Sequence, residues 1–282
     1  MSVYQIPEEY FFRIHHCRPR FKGNVENVLI YIATEITRIG DAPKDEFNNS
    51  LNNAIKCFPG NSTLALKTVN NWRTEISSLF GLFYEDENHY NHAMLRAKEL
   101  AEHNDLVEFF KLFLYYFQYP GAHIKSRDVL EQIEAGIHFK PTQYILKLLK
   151  TAEENTGKRC GITKEEACYC IFNDLRCTRD NEDVVITWQR IQRNRDLEIE
   201  YVADGDVTRY AGDILDYMQH ANLLVSYNNK EFFINHSENE AILKYINSTE
   251  WFSEYDTMIA NRSGTIQDVN DCRCDWFRYV NR

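Results

Sequence analysis

Apolar residues recur at intervals of three and four along most of this chain, and that spacing is the strongest constraint on its fold. Between Val25 and Ile39 the apolar positions fall on one face of a predicted helix that ends before Gly40. The same spacing predicts a second helix after Pro43 and a third over 61–79, with N-cap candidates at Asn61-Ser62-Thr63, and it continues in the second half of the chain. Asn91 and Asp105 are predicted to cap further helices, and Thr163-Lys164-Glu165-Glu166 fits a capping box that opens a helix through about Leu175. The chain is therefore predicted to be mainly helical.

Two short hairpins follow these helix-rich blocks, at about 82–90 and 223–234. Each leads into an Asn-His pair, at 91 and at 235, and then into another predicted helix. Three helices followed by a two-stranded ribbon form the winged-helix arrangement, a variant of helix-turn-helix. We predict a mainly α fold with small β-hairpins, built from tandem winged-helix (helix-turn-helix) subdomains joined by a linker segment. Two unrelated hairpins in a long helical protein are the alternative.

The block boundaries predict three stretches of chain. The first block ends at Tyr119-Pro120-Gly121, and the second opens at Lys140-Pro141, because proline suits the first turn of a helix. The predicted domains are 1–119 (an N-terminal arm plus the first winged-helix subdomain), 120–139 (the linker segment) and 140–282 (the second winged-helix subdomain with C-terminal helices).

The charge balance limits which partners the chain can bind. It has 32 basic and 42 acidic residues, a net charge of −10 and a pI near 5.4. A general polyanion binder is excluded, since the pI of such a domain usually exceeds about 9. One basic face on an acidic body stays possible, because charges act over a Debye length of about 8–10 Å. With no membrane-length apolar run and no secretory signal pattern, we expect a soluble, cytoplasmic and monomeric protein.

The segment from Tyr10 to Lys22, YFFRIHHCRPRFK, concentrates basic and aromatic residues and contains no acid. Arginine presents a fixed fork that fits phosphate oxygens and the O6/N7 edge of guanine, while histidine and aromatic rings stack or hydrogen-bond. We predict an arm that follows a groove of DNA. A coil held on the acidic body by ion pairs is the alternative, and a metal site at His15-His16-Cys17 would need ligands from elsewhere in the chain. The candidate DNA contacts in this arm are Arg13, His15, His16, Arg18, Arg20 and Lys22.

The outer face of the third predicted helix has no acid between Asn61 and Thr74. Asparagine pairs with adenine, lysine and arginine pair with guanine, and threonine contacts a thymine methyl group or a phosphate. In a winged helix this element enters the major groove, although a solvated helix face that lacks acids is the other interpretation. The candidate contacts are Ser62, Thr63, Lys67, Asn70, Asn71, Arg73 and Thr74.

In the second block, Arg190 and Arg193 share a face of the helix predicted over 184–195. They are candidate phosphate contacts unless ion pairs already occupy them. The counterpart of the recognition helix is predicted to begin near Asp204 or Asp206, with Thr208 and Arg209 early in it. An aspartate there accepts a hydrogen bond from cytosine N4 or simply caps the helix. By contrast, the acidic hairpin tip over 85–87 is predicted to stay away from phosphates.

No motif for catalysis is visible. The sequence has no glycine-rich phosphate loop, no H-E-x-x-H, no G-x-S-x-G and no metal-nuclease pattern. Its eight cysteines form no C-x-x-C pair, and Cys168/Cys170 and Cys272/Cys274 are spaced C-x-C. We predict a non-catalytic segment without a metal site or cofactor. An enzyme that uses cysteine or histidine is the alternative, and it lacks a visible nucleophile–base pair.

Four stretches carry a family resemblance: Leu79–Glu87, Leu95–Ala101, Phe117–Pro120 and Lys140–Leu149. Over about 60–235 the chain resembles the N-terminal recognition regions of type IIS restriction endonucleases and related nicking enzymes. The resemblance implies a tandem winged-helix module that wraps double-stranded DNA and recognises a short asymmetric site, mainly through the major groove.

The resemblance also assigns roles along the chain. Base contacts are expected from the arm over 13–22, from the helix over 62–74, and from Thr208 with Arg209. The nuclease domain of such enzymes lies C-terminal to the recognition region and needs a divalent metal, expected to be Mg²⁺, so this segment is expected to lack a nuclease site and to need no cofactor of its own. A tandem winged-helix regulator, or a protein-interaction module with no associated nuclease, is the alternative function.

Substitutions on the two predicted surfaces separate base contacts from phosphate contacts. Arg20→Ala is expected to relax specificity at one base pair, whereas Lys67→Ala is expected to weaken binding to all duplexes alike. The measurement is a titration of cognate and altered duplexes at a stated salt concentration, because phosphate binding depends steeply on salt. Unchanged cognate affinity in both variants would show that the assigned face is wrong.

Overall fold

The computed structural model describes residues 3–16, 25–202, 207–227 and 230–282. As the apolar spacing predicts, this part of the chain is mainly helical with small antiparallel sheets. No helix among the described residues is long and apolar enough to cross a membrane. The helices are α1 (Val25–Ile39), α2 (Lys44–Cys57), α3 (Leu66–Phe80), α4 (Leu95–His103), α5 (Leu106–Tyr116), α6 (Ser126–Glu134), α7 (Pro141–Thr156), α8 (Lys164–Ala167), α9 (Leu175–Thr178), α10 (Val184–Asp196), α11 (Val207–His220), α12 (Asn239–Ile246), α13 (Asp256–Asn261), α14 (Ile266–Asp271) and α15 (Arg273–Val280). The strands are β1 (Ala42–Pro43), β2 (Phe83–Glu85), β3 (Tyr90–Ala93), β4 (Gly161–Thr163), β5 (Leu224–Val225) and β6 (Glu231–Ile234).

The two sheets share one strand order. The first runs β1-β3-β2 and pairs Ala42 with Asn91; the second runs β4-β6-β5 and pairs Gly161 with Phe233. In each sheet a hairpin of consecutive strands is joined by a short strand from earlier in the sequence. Both predicted hairpins are therefore confirmed, each as part of a three-stranded antiparallel sheet.

Two compact units divide the chain, and each is assembled from separate segments. Unit 1 comprises Met1–His15, Phe110–Pro120 and Leu130–Gly264. Unit 2 comprises His16–Phe109, Gly121–Val129 and Thr265–Arg282. The domain ranges expected from the sequence, 1–119, 120–139 and 140–282, stay a prediction, because grouping by contacts does not test where a module begins along the chain.

Each unit buries the apolar faces that the spacing predicts. In unit 2, α1, α2 and α3 bury Ile32, Phe47 and Trp72. In unit 1, α7 and α10 bury Ile145 and Ile191 completely. Burying one such side chain contributes about 1.5–3 kcal/mol, so packing against neighbouring elements stabilises helices that are individually short.

Local signals fix several helix ends. Thr163 and Glu166 form the predicted capping box: Glu166 N donates to Thr163 Oγ1 at 3.1 Å, and Thr163 N donates to Glu166 Oε2 at 2.9 Å. Asp105 accepts from Glu108 N at 2.9 Å at the start of α5, as predicted. Gly81 ends α3 in the left-handed conformation that glycine favours, with φ +63°.

Three predicted helix boundaries are wrong. The helix expected from Asn61 begins at Leu66, because the buried Asn61 side chain donates to Ile55 O at 3.0 Å and closes the turn after α2. Asn91 does not cap a helix; it lies in β3, where it pairs with Ala42 of β1, and α4 begins at Leu95. The helix expected after Thr163 is interrupted, since α8 passes into a π-helical turn over Cys168–Phe172.

Candidate nucleic-acid interface

Main-chain hydrogen bonds attach the N-terminal segment to the rest of unit 1. Tyr4 N donates to Glu200 O at 2.8 Å, and Phe12 N donates to Asn173 O at 3.1 Å. Two residues after Phe12, Ile14 N donates to Asn173 Oδ1 at 3.0 Å. In an extended chain, successive side chains point to opposite sides. Ile14 is accordingly buried, and Arg13 is exposed.

The described part of the predicted arm offers one exposed cation. Arg13 forms no ion pair with any residue that the structure describes. His15 is partly exposed, and its Nε2 lies 3.1 Å from Glu131 Oε2. Arg13 is therefore available to an anionic ligand, whereas His15 is opposed by an acid. The predicted contacts Arg18, Arg20 and Lys22 lie outside the described residues.

His16, a predicted DNA contact in unit 2, is packed inside the protein. It is 7% exposed, and its ring centroid lies 5.5 Å from that of His123. Burial, together with the nearby positive charges of His16 and Arg273, lowers the pKa of His123 well below its usual value. The packing of His16 gives no support to its predicted contact with DNA.

The outer face of α3 in unit 2 carries an exposed polar stripe. Lys67, Asn71 and Thr74 are exposed and follow one another at i, i+4 and i+7, the spacing of one helix face. Within the described ranges Lys67 has no acidic partner. We call these three residues the α3 stripe. The predicted contacts Ser62 and Thr63 are also exposed, in the turn before α3.

The other two predicted residues of α3, Asn70 and Arg73, are half-buried and held by Asn52 of α2. Asn52 Nδ2 donates to Asn70 Oδ1 at 3.1 Å, and Arg73 Nη1 donates to Asn52 Oδ1 at 2.9 Å. Burial lowers the pKa of Arg73. These hydrogen bonds fix α3 against α2, so Asn70 and Arg73 support the α3 stripe from behind.

One of the predicted phosphate-binding arginines of unit 1 forms an ion pair with a buried carboxylate. Asp174 is fully buried; Arg176 Nη2 lies 2.5 Å and Arg190 Nη2 3.5 Å from Asp174 Oδ2. Arg190 also pairs with Glu182 at 2.7 Å, and its side chain is 12% exposed. These ion pairs fit the alternative in which the Arg190 guanidinium neutralises acids inside the protein, and they give no support to its predicted contact with phosphate.

Arg193, three residues further along α10, has the opposite environment. It is exposed, and among the residues with described positions it has no ion-pair partner. Trp188, Gln189 and Gln192 line the same shallow cleft of about 580 Å³. This surface combines a free cation with amide groups that can donate to or accept from a ligand.

The first turn of α11 contains the remaining predicted contacts. Arg209 is exposed and Thr208 is half-buried, and both already interact with other groups of the protein. Asp206 lies outside the described residues. Their predicted role in base recognition stays a prediction.

One lysine and two histidines contact the acidic tip of the first hairpin. Glu85 pairs with Lys44 at 2.9 Å and with His89 at 2.7 Å, while His92 Nε2 lies 3.0 Å from Asp86. The hydrogen bond with Asp86 is the largest cause of a raised pKa at His92. The ion pair with Lys44 reduces the negative charge that this hairpin presents to a ligand.

Sequence reasoning missed two asparagines that hold these surfaces in place. Asn52 links α2 to α3, and Asn173 bonds the chain on both sides of Arg13. Both are polar residues at buried or half-buried positions, and a single sequence does not reveal which polar residues are buried.

Comparisons with known proteins place these surfaces in context. The family model described as the N-terminal part of restriction endonuclease BpuJI matches residues 4–277. A solved structure of the BpuJ1 endonuclease binding domain, in complex with pyrene- and phenanthrene-modified DNA, is similar to this chain with a TM-score of 0.83. The two share 26% sequence identity, and the match covers 99% of this chain and 100% of that one. Comparison with curated protein sequences gives no match. The resemblance to restriction-endonuclease recognition regions is thus confirmed at the level of the family.

The buried His123 is expected to make unfolding pH-dependent. Its folded pKa lies below the usual value near 6.5, so as pH falls below 6.5 the unfolded chain binds a proton that the folded protein excludes. Stability is therefore full above that pH and is lost below it, with a limiting slope of about 1.4 kcal/mol per pH unit. Chemical denaturation of the wild type and His123→Gln between pH 5 and 8 measures this effect. An unchanged slope in the variant would contradict the assignment.

Arg190 and Arg193 give a matched pair on one helix. Arg190→Ala leaves Glu182 without a cation and leaves the buried Asp174 with Arg176 alone, so it is expected to lower the free energy of unfolding by about 1.5–3 kcal/mol. Arg193→Ala removes an exposed, unpaired side chain and is expected to change it by less than about 0.5 kcal/mol. Denaturant titration of both variants checks the contrast. Equal stabilities would show that the Asp174 network does not depend on Arg190.

Proposed function

We propose that this chain, which belongs to the BpuJI N-terminal family of restriction endonucleases, is a sequence-specific recognition module for double-stranded DNA. The observation that carries the proposal is the match over nearly the whole chain to a binding domain solved in complex with DNA. Exposed, unpaired cations on a chain of net charge −10 support it independently. A restriction enzyme meets its substrate in the cytoplasm, and we place this module there.

We further propose that both units contain a winged helix. In unit 2 the order α1, β1, α2, α3, β2, β3 is a helical block followed by a ribbon, and β1 completes the sheet. In unit 1, α7, β4, α8, α11, β5 and β6 follow the same order with additional helices before α11, and the sheet order is equivalent. In such modules the helix before the ribbon enters the major groove. The corresponding helices are α3 and α11.

The α3 stripe supplies the chemistry for base recognition. Lysine reaches guanine O6 and N7, asparagine pairs with adenine N6 and N7, and the threonine methyl group packs against thymine. Lys67, Asn71 and Thr74 are exposed on one face, so all three can contact successive bases. Ser62 and Thr63, before the helix, are suited to phosphate oxygens. In unit 1 the corresponding candidates are Arg13, Arg193, Thr208 and Arg209.

A module of this design favours an asymmetric target. The residues at the start of α11 differ from those of α3, so the two units read different bases. Type IIS recognition of a short asymmetric site is consistent with that difference. We propose that DNA binding by this chain needs no metal, and that a nuclease domain of the parent enzyme supplies the Mg²⁺-dependent cleavage. Affinity that is unchanged by a chelator is the expected result.

The decisive experiment selects binding sites from random duplexes at a fixed, stated salt concentration, followed by titration of variants against the selected site. Asn71→Ala is expected to reduce discrimination at one base pair by about 1–3 kcal/mol while other positions keep theirs. Asn247→Ala, an exposed asparagine at the end of α12, is the matched control and is expected to bind like the wild type.

Two results would count against this function. Enrichment of no common sequence, together with weak salt-sensitive binding to every duplex, would leave only non-specific DNA binding. No measurable affinity for DNA would favour a protein-interaction module instead. Cleavage by this chain with Mg²⁺ would overturn its assignment as non-catalytic.

A further inference from the structure

We infer that Asn173 and Arg176 are positioning residues for DNA recognition, because they hold the N-terminal segment in the conformation that presents Arg13. The inference rests on the proposed function. It adds a role for two residues whose polar groups are already bonded within unit 1 and which act by holding the N-terminal segment.

The N-terminal segment has little structure of its own. Among residues 3–16, one short 3₁₀ turn over Glu8–Tyr10 is the sole helical element that the structure shows there. Only a few side chains of the segment, such as Ile6 and Ile14, are buried. A segment of this kind has many conformations when detached, and fixing each residue in one conformation costs backbone entropy. Its path over unit 1 must therefore come from specific bonds.

Asn173 supplies bonds on both sides of Arg13. Its main-chain oxygen accepts from Phe12 N at 3.1 Å, and its side-chain oxygen accepts from Ile14 N at 3.0 Å. The side chain is oriented by a further bond, from Asn173 Nδ2 to Cys168 Sγ at 3.2 Å. Asn173 is 3% exposed, so water does not compete for these groups. With its two neighbours tied to one residue, the Arg13 backbone has one orientation, and its side chain points outward.

Arg176 holds the segment at a second place. Its Nη2 donates to Tyr4 OH at 3.2 Å, and its guanidinium lies 5.2 Å from the centre of the Tyr10 ring. The same guanidinium is fixed by the buried Asp174 at 2.5 Å. Asp174 in turn meets Phe11 in an isolated β-bridge. The anchor therefore spans the segment from Tyr4 to Ile14.

This anchor lowers the cost of binding. A flexible arm must be ordered when DNA binds, and ordering one long side chain opposes association by about 0.5–1.5 kcal/mol. An arm that is already held in place avoids most of that cost. Loss of the anchor is expected to weaken affinity by about 3- to 10-fold, which lies within the fold-change equivalent to that range.

A double-mutant cycle separates positioning from general destabilisation. Arg13→Ala, Asn173→Ala and the double variant are titrated against the selected duplex, with thermal stability measured for each. We expect Asn173→Ala to weaken binding about 3- to 10-fold in the wild type and by less than about twofold in the Arg13→Ala background. A purely structural defect would weaken both backgrounds equally, and that additive result would overturn the inference.

Tyr10→Leu provides a variant that spares the buried network. It removes the ring beneath Arg176 but leaves Asn173 and Asp174 in place. If Asn173→Ala does not fold, this variant tests the positioning role in its place. The same coupling to Arg13 is expected, and its absence contradicts the inference. Phe233→Leu is the matched control, since it removes an aromatic ring beside Arg159 in the same unit and is expected to show no coupling to Arg13.

The cycle also distinguishes failure of the inference from failure of the proposed function. If the wild type selects no sequence, the proposed function fails and the inference fails with it. If the wild type binds a specific site but Arg13→Ala leaves affinity unchanged, or if the two substitutions are additive, then only the positioning role is overturned.

Discussion

One fully buried carboxylate organises unit 1. Asp174 has Arg176 at 2.5 Å and Arg190 at 3.5 Å, and a charge removed from water is tolerated only when it is paired and hydrogen-bonded. Its side chain also accepts from Arg176 N at 3.0 Å and so caps α9, and its main chain bridges to Phe11. The N-terminal segment, α9 and the inner face of α10 therefore all depend on a single ionised group.

Features encoded locally could be predicted from the sequence. The helix over Val25–Ile39 follows the apolar spacing, and the Thr163–Glu166 capping box is a pattern of four consecutive residues. The hairpins follow from short apolar runs around a turn and could be predicted, whereas the third strand of each sheet, β1 or β4, could not. The α3 stripe could also be predicted, since the exposure of polar residues on an amphipathic helix follows from their local spacing.

Features that depend on distant partners could not be predicted. Arg190 and Arg193 share a helix face in the sequence, and only the position of Asp174 separates an internal ion pair from a free cation. The bond between Ile14 and Asn173 joins residues 159 positions apart. Ser62 and Thr63 look like helix caps, yet the buried Asn61 side chain bonds back to α2, and the helix begins later. In each case, contacts with residues distant in the sequence determine the structure and override the local sequence preference.

The distribution of charge explains how an acidic chain can recognise a polyanion selectively. Every phosphate contact strengthens binding to all duplexes alike, whereas specificity is the ratio between affinity for the cognate site and affinity for other DNA. Internal ion pairs withdraw Arg176, Arg190 and Arg195 from contact with phosphate, and the net charge of −10 repels DNA from the rest of the surface. Base contacts such as those proposed for Lys67 and Asn71 then carry a larger share of the binding energy. We therefore expect low non-specific affinity for DNA as a consequence of the same ion pairs that hold the fold together.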